Sequence, residues 1–259
     1  MLTNDQKRAV IDLTKAAGEK IMAIYAQDFE VDYKADSSPL TQADLASHHC
    51  IVDGLSELTP QIPVLSEESS EDEKLNRMSW ETYWLIDPLD GTKEFVKKNG
   101  EFTVNIALVA NHQPVFGVVF APALDVTYWG DQFSGAFKAE SGIEKSIKVR
   151  PRPLRHADWI VVGSRSHQSD EFKTFIKDYA DAEIVSMGSS LKLCLVAEGK
   201  ADLYPRLGLT SEWDTAASQA VVEAAGGKVL AFPEMKPLGC NQNADSLLNP
   251  HFLVCASPL

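Results

Sequence analysis

Residues 83–92 read Tyr-Trp-Leu-Ile-Asp-Pro-Leu-Asp-Gly-Thr, and this stretch constrains the chain more tightly than any other. Tyr83 to Ile86 is aromatic and aliphatic, too short for a helix, and ends abruptly in Asp87-Pro88, the pattern of a buried strand. Both Asp87 and Asp90 therefore emerge at a strand end. Pro88 fixes its own φ and donates no backbone hydrogen bond, and Gly91 permits a sharp turn or close backbone approach. Thr92 is placed to cap a helix through Lys93, Phe95 and Val96. Two carboxylates, the Leu89 carbonyl and a helix N-terminus then surround one point. Hard oxygen donors suit Mg²⁺, and a helix N-terminus suits phosphate. The same residues also fit an Asp-Pro turn in which one Asp only caps.

Around this segment the pattern alternates between helix and strand. Val10, Leu13, Ala17, Ile21 and Ile24 give helical spacing over residues 5–26, and Thr41 caps a second helix through Ala43, Leu45, Ile51 and Leu55. Ile62 to Leu65 reads as a strand and the acidic run Glu67 to Lys74 as an exposed loop. Phe102 to Ala110 and Val115 to Ala121 form a hairpin about residues 111–114, with further strands at 126–129 and 135–138. Pro151-Arg152-Pro153 divides the chain into halves 1–150 and 151–259 of one compact unit. The second half alternates: strand 159–162, helix 171–179, strand 183–186, helix 190–198, strand 201–204, helix 214–225 and strand 228–232. A mixed αβ fold follows, antiparallel-rich first and α/β second.

Composition excludes several classes. With 259 residues, 44% hydrophobic and 24% charged, the chain is long enough for a substantial core. No apolar run reaches the roughly 18 residues of a membrane span. The N-terminus lacks the apolar stretch of a signal peptide, so a cytoplasmic location is expected. The four cysteines form no C-x-x-C pair and read as buried thiols. A net charge of -13 repels nucleic-acid polymers, whereas a small anion needs only a local cationic site.

Other acids are weak signals singly. Glu67-Glu68 follows a strand, as surface acids often do; Asp214 alone reads as an N-cap, and Asp44 as a solvent-facing first-turn acid. Jointly, the stretch Asp87 to Thr92, the Glu67-Glu68 pair and Trp213-Asp214 resemble the inositol monophosphatase superfamily along essentially the whole chain. Within it, Leu85 to Phe95 with Glu94 before the Phe, Lys34-Ala35-Asp36-x-Ser38-Pro39-x-Thr41 and Gly188-Ser189-Ser190-Leu191-Lys192 resemble the 3'(2'),5'-bisphosphate nucleotidases. Inositol monophosphatases usually carry Asn in place of Glu94.

The resemblance implies an αβαβα layered sandwich of the inositol monophosphatase and fructose-1,6-bisphosphatase type. It implies two or three Mg²⁺ ions on Glu67, Asp87, the Leu89 carbonyl, Asp90 and Asp214, and inhibition by lithium. Asp44 and Thr92 match the pair that orients or deprotonates the attacking water, and Asp36 and Glu68 help through bound water. Glu67, Leu89, Asp90, Gly91, Thr92 and Asp214 would surround the transferred phosphate. Ser166, His167, Ser189, Lys192 and Arg206 would contact the rest of a bisphosphate nucleotide. The D-x-x-D spacing separates the site from the D-x-D-G-T of haloacid dehalogenases. The leading expectation is hydrolysis of 3'-phosphoadenosine 5'-phosphate to AMP, as monomer or homodimer, free or loosely attached to the inner membrane face. The alternatives are an inositol or sugar phosphatase and a metal-stabilised regulatory domain.

Overall fold

The computed structural model describes residues 2–27, 31–33, 39–155, 158–164 and 170–256. The first half runs α1 (Asn4–Tyr25), β1 (Val31–Tyr33), β2 (Pro39–Thr41), α2 (Gln42–Leu58), β3 (Val64–Ser66), α3 (Glu71–Asn76), β4 (Thr82–Asp90) and α4 (Thr92–Val96). It continues through β5 (Thr103–Ala110), β6 (Gln113–Ala121), β7 (Val126–Asp131), β8 (Gly135–Glu140) and β9 (Ile143–Ile147). The second half runs β10 (Ile160–Ser164), α5 (Asp170–Phe175), a 3-10 turn (Ile176–Tyr179), β11 (Glu183–Met187), α6 (Leu191–Ala197) and β12 (Leu203–Arg206). It closes with α7 (Glu212–Ala224), β13 (Lys228–Ala231), β14 (Lys236–Pro237) and β15 (Phe252–Cys255).

Strands β3 to β9 form a seven-stranded sheet in sequence order, antiparallel except for the β3–β4 pair. A second large sheet has six strands in the order β11-β10-β12-β15-β13-β14, and β1 and β2 form a separate antiparallel pair. All strands of the first sheet precede Pro151 and all of the second follow it.

Side-chain alternation on β4 sets the layers, because neighbouring residues face opposite sides. Trp84 and Ile86 pack with Val10, Ile21, Ile51 and Leu55 of α1 and α2. Tyr83 and Leu85 pack with Leu191, Val196 and Val221 of α6 and α7. On its far side the six-stranded sheet sets Val161, Leu203 and Leu253 against Phe175 and Tyr179. Five layers result: α1/α2, the large sheet, α6/α7, the small sheet and α5. Each fully buried large side chain contributes about 1.5–3 kcal/mol. Gly117 of β6 faces the α7 main chain, where a Cβ would collide with the Ala217 carbonyl. A glycine there lets helix and sheet approach closely.

The αβαβα expectation is met, with local differences. The run Glu67 to Lys74 is not wholly loop: Ser70 starts α3, its N–H donating to Glu73 Oε2 at 2.7 Å. Such a capping box with acids in the first turn stabilises even a short helix. Strand β4 runs through the acidic motif to Asp90 instead of stopping at Ile86. The helix cap is Gly91, at φ 91°, and Thr92 is the first residue of the short α4. The small sheet is mixed, since β15 inserts antiparallel between β12 and β13.

Candidate metal centre and adjoining cleft

The end of β4 is shaped to gather carboxylates. Asp87 pairs with Asn105 and Asp90 with Thr103, so β4 carries one extra residue there, a bulge. The Leu89 N–H donates to Asp87 Oδ1 at 3.0 Å, and Ser47 Oγ donates to the Pro88 carbonyl at 2.7 Å. Asp214 arrives from the first turn of α7. It is not the N-cap: it is the third helical residue, and its Oδ2 accepts the Ser211 N–H at 2.9 Å. Asp87, Asp90 and Asp214 each offer an oxygen within 4.8 Å of the others.

Glu67 joins them from the end of β3, its N–H donating to the Ile86 carbonyl at 3.1 Å. It lines one recess with Asp87, Leu89, Asp90, Gly91, Thr92 and Asp214. Asp44, read alone as solvent-facing, is only 2% exposed. Its Oδ2 accepts the Thr41 N–H and hydroxyl, both at 2.7 Å, and its Oδ1 lies 3.3 Å from Thr92 Oγ1. The Leu89 carbonyl is also 3.3 Å from Thr92 Oγ1. Glu68 lines neither this recess nor the adjoining cleft; its N–H donates to Ser66 Oγ at 3.2 Å. Asp36, Ser166 and His167 lie outside the described residues.

Burial, then Glu67, Asp90 and Asp214, holds the Asp87 carboxyl well above the usual carboxylate range. Burial, then Asp90 and Glu67, pushes Asp214 up to about 8. Clustered buried carboxylates resist ionising together unless a cation joins them. The donors are all oxygens, which fit Mg²⁺ better than the nitrogen and sulfur sites that favour zinc.

Asp90, Gly91 and Asp214 are shared with a second cleft of about 150 Å³. Lys192 of α6 and Tyr204 and Arg206 of β12 line it. Lys192 Nζ sits 5.8 Å from the Tyr204 ring centroid. Burial lowers the pKa of this ammonium, opposed chiefly by Asp90. The Arg206 guanidinium donates to Thr210 Oγ1 and the Leu209 carbonyl. Ser189 borders the cleft, yet its Oγ is 3.0 Å from the Asp90 carbonyl and 2.7 Å from that of Glu101. Tyr204 and Phe252 were missed as lining residues; the period-2 alternation that puts Tyr204 on Arg206's face was the available signal. Ser190, which touches Asp90 and α7, belongs to the quoted Gly188–Lys192 motif but carried no role of its own.

Residues 4–250 match the inositol monophosphatase family, and the chain belongs to it. Membership makes it an enzyme, a phosphoric monoester hydrolase. Among curated relatives, the 3'(2'),5'-bisphosphate nucleotidase CysQ of Escherichia coli is 50% identical over 248 residues, covering 95% of this chain and 97% of that protein. The protein of the same name from Haemophilus influenzae is 36% identical, covering 95% and 90%. The crystal structure of CysQ from Bacteroides thetaiotaomicron superposes with TM-score 0.84 at 44% identity, covering 96% of each chain. An inositol monophosphatase from Thermotoga maritima superposes at 0.77 with 26% identity, covering 95% and 90%. Among the described residues, no helix is long and apolar enough to cross a membrane.

Proposed function

We propose that the chain is a Mg²⁺-dependent 3'(2'),5'-bisphosphate nucleotidase that hydrolyses 3'-phosphoadenosine 5'-phosphate to AMP and phosphate in sulfur assimilation. One observation carries this reading: the acid centre and the cleft bearing Lys192 and Arg206 share the wall formed by Asp90, Gly91 and Asp214. A substrate with two phosphates on one ribose suits an acid recess that Mg²⁺ would make attractive to one phosphate, beside a cleft whose Lys192 and Arg206 can meet the other. The near-full-length identity to proteins named bisphosphate nucleotidases supports the same choice. A cytoplasmic location suits such a substrate.

Glu67, Asp87, the Leu89 carbonyl, Asp90 and Asp214 would hold two or three Mg²⁺ ions. Bound there, the ions would screen the phosphate charge and acidify a water. Thr92 and Asp44 form a relay: Thr92 Oγ–H donates to Asp44 Oδ1, leaving lone pairs on Thr92 Oγ to accept from the attacking water. As water oxygen bonds to phosphorus, its proton passes to Thr92 and the Thr92 proton to Asp44. The ester P–O bond breaks, and the ribose 3'-oxygen takes a proton from solvent. Lys192 and Arg206 hold the 5'-phosphate through charge-assisted hydrogen bonds. Tyr204 and Phe252 supply apolar wall to the nucleoside.

The test is phosphate release by purified protein in Mg²⁺, comparing 3'-phosphoadenosine 5'-phosphate with inositol 1-phosphate. The reading requires a large preference for the nucleotide. Equal or reversed preference makes the chain an inositol or sugar phosphatase.

A further inference from the structure

Ser190 lies where three elements meet. Its N–H donates to Asp90 Oδ2 at 2.6 Å, and its Oγ lies 2.8 Å from the same oxygen. That Oγ is also 2.6 Å from the Asp214 main-chain carbonyl and accepts from Asn105 Nδ2 at 2.9 Å. Ser190 is 2% exposed and Asn105 1%. Thr103 Oγ1 adds a longer contact to Asp90 Oδ2, at 3.4 Å. One carboxylate oxygen of Asp90, Oδ2, is thus fixed by Ser190 and Thr103 at the point where Asp87, Asp90 and Asp214 converge.

A serine hydroxyl has one proton, so it donates to Asp90 or to the Asp214 carbonyl at a given moment. Either way, one oxygen fixes the separation between the β4 carboxylate and the α7 main chain. Asp87 and Asp90 share a strand and are registered by its bulge. Asp214 comes from a different layer, and Ser190 is the direct hydrogen-bonded link between its main chain and Asp90. The neighbouring Ser189, at φ 49°, is held in the left-handed region with its Oγ against the Asp90 and Glu101 carbonyls. Backbone in that region persists where surrounding contacts over-determine it. The turn that opens α6 is therefore clamped onto β4 from both residues.

We propose that Ser190, supported by Asn105, is a positioning residue that sets the distance between Asp90 and Asp214 and thereby tunes divalent-cation affinity. The proposal rests on the reading of these acids as the Mg²⁺ centre. A ligand pair held at the right spacing binds without first being ordered, and preorganisation shows mainly as affinity. The direct readout is Mg²⁺ binding by calorimetry, with the Mg²⁺-induced rise in melting temperature as a second.

Ser190→Ala should weaken Mg²⁺ binding about 2- to 13-fold, the worth of a typical hydrogen bond. Asn105→Ala should shift it in the same direction by less, and Ser190→Thr, which keeps the hydroxyl, should recover most of the affinity. A merely structural role would lower the melting temperature without Mg²⁺ and leave the Mg²⁺ dissociation constant unmoved; that result overturns the proposal. Should Ser190→Ala fail to fold, Asn105→Ala decides, since its amide reaches Asp90 through the Ser190 hydroxyl; wild-type Mg²⁺ affinity there also overturns it. Absence of Mg²⁺ binding in the wild type itself would instead remove the metal reading.

Discussion

Thr92 Oγ1 lies 3.3 Å from Asp44 Oδ1, joining the first turns of two helices that are 48 residues apart in the chain. Asp44 Oδ2 accepts the Thr41 N–H and hydroxyl, which fixes the carboxylate with Oδ1 toward Thr92. If this pair handles the proton of the attacking water, Thr92→Ala should lower kcat about 10²- to 10⁴-fold. Thr92→Ser, which keeps the hydroxyl, should retain most of the rate. Steady-state phosphate release with Mg²⁺ titrated to saturation distinguishes this from lost metal affinity. Full activity in Thr92→Ala would remove the pair from the mechanism.

The acid centre predicts opposite effects of pH with and without metal. Asp87 and Asp214 both have raised pKa values in the fold, so the metal-free folded state keeps protons that the unfolded chain has lost. Metal-free stability from these groups is full at acidic pH and falls as pH rises toward about 8. Mg²⁺ competes with those protons, so its stabilising effect should grow from about pH 5 to about pH 8. Asp87→Asn removes one of the repelling charges. It should fold, melt at least as high as wild type without metal near pH 8, lose the Mg²⁺-induced gain and lose nearly all turnover. Melting curves over pH and Mg²⁺, beside activity, check each part; an unchanged gain in Asp87→Asn contradicts its role as ligand.

Glu212 supplies a separate pH signature. It is 4% exposed, and its carboxylate accepts the Asn241 N–H at 2.8 and 2.9 Å from its two oxygens. Burial pushes its pKa up to about 7, opposed by that N–H and by Arg77. The folded state therefore holds a proton above the ordinary glutamate range, and this contribution is lost as pH rises through about 7. Glu212→Gln keeps an acceptor without charge. In saturating Mg²⁺ its stability should gain on wild type between about pH 5 and about pH 8, by of order 1–3 kcal/mol. Urea unfolding across that range tests this, and parallel curves for the two proteins would refute it.

Local chemistry made the metal centre legible in the sequence. Asp87, Pro88, Asp90 and Gly91 each have a residue-specific reason to lie where a strand gives way to a helix, and the structure sets the first three in the bulged end of β4 and Gly91 at the cap of α4. The apolar run Tyr83 to Ile86 made the buried strand legible and the spacing of Val10 to Ile24 the first helix, while the layered arrangement followed from the family resemblance. What escaped depends on distant partners. Ser70 begins a helix because Glu73 reaches back to it. β15 is four residues long, and only its place between β12 and β13 makes it a central strand. Asp214 reads as a cap until Ser211 is seen taking that position. Nor does spacing along the chain signal that the Ser190 hydroxyl bridges β4 and α7.

Lys192 separates the nucleotide reading from every other use of the same metal centre. It borders the cleft beside the acids, over the Tyr204 ring, and is not part of the acid cluster. The measurement is kcat/KM for 3'-phosphoadenosine 5'-phosphate and for a small phosphate monoester lacking a second phosphate, in wild type and in Lys192→Ala. A charge-assisted contact to the 5'-phosphate is worth about 1.5–3 kcal/mol, so the nucleotide should lose about 10- to 150-fold, mostly through KM. The small ester should start from a low rate, because it lacks remote binding energy to position its phosphate, and should barely change. Equal losses on both substrates, or no loss on the nucleotide, would contradict the account.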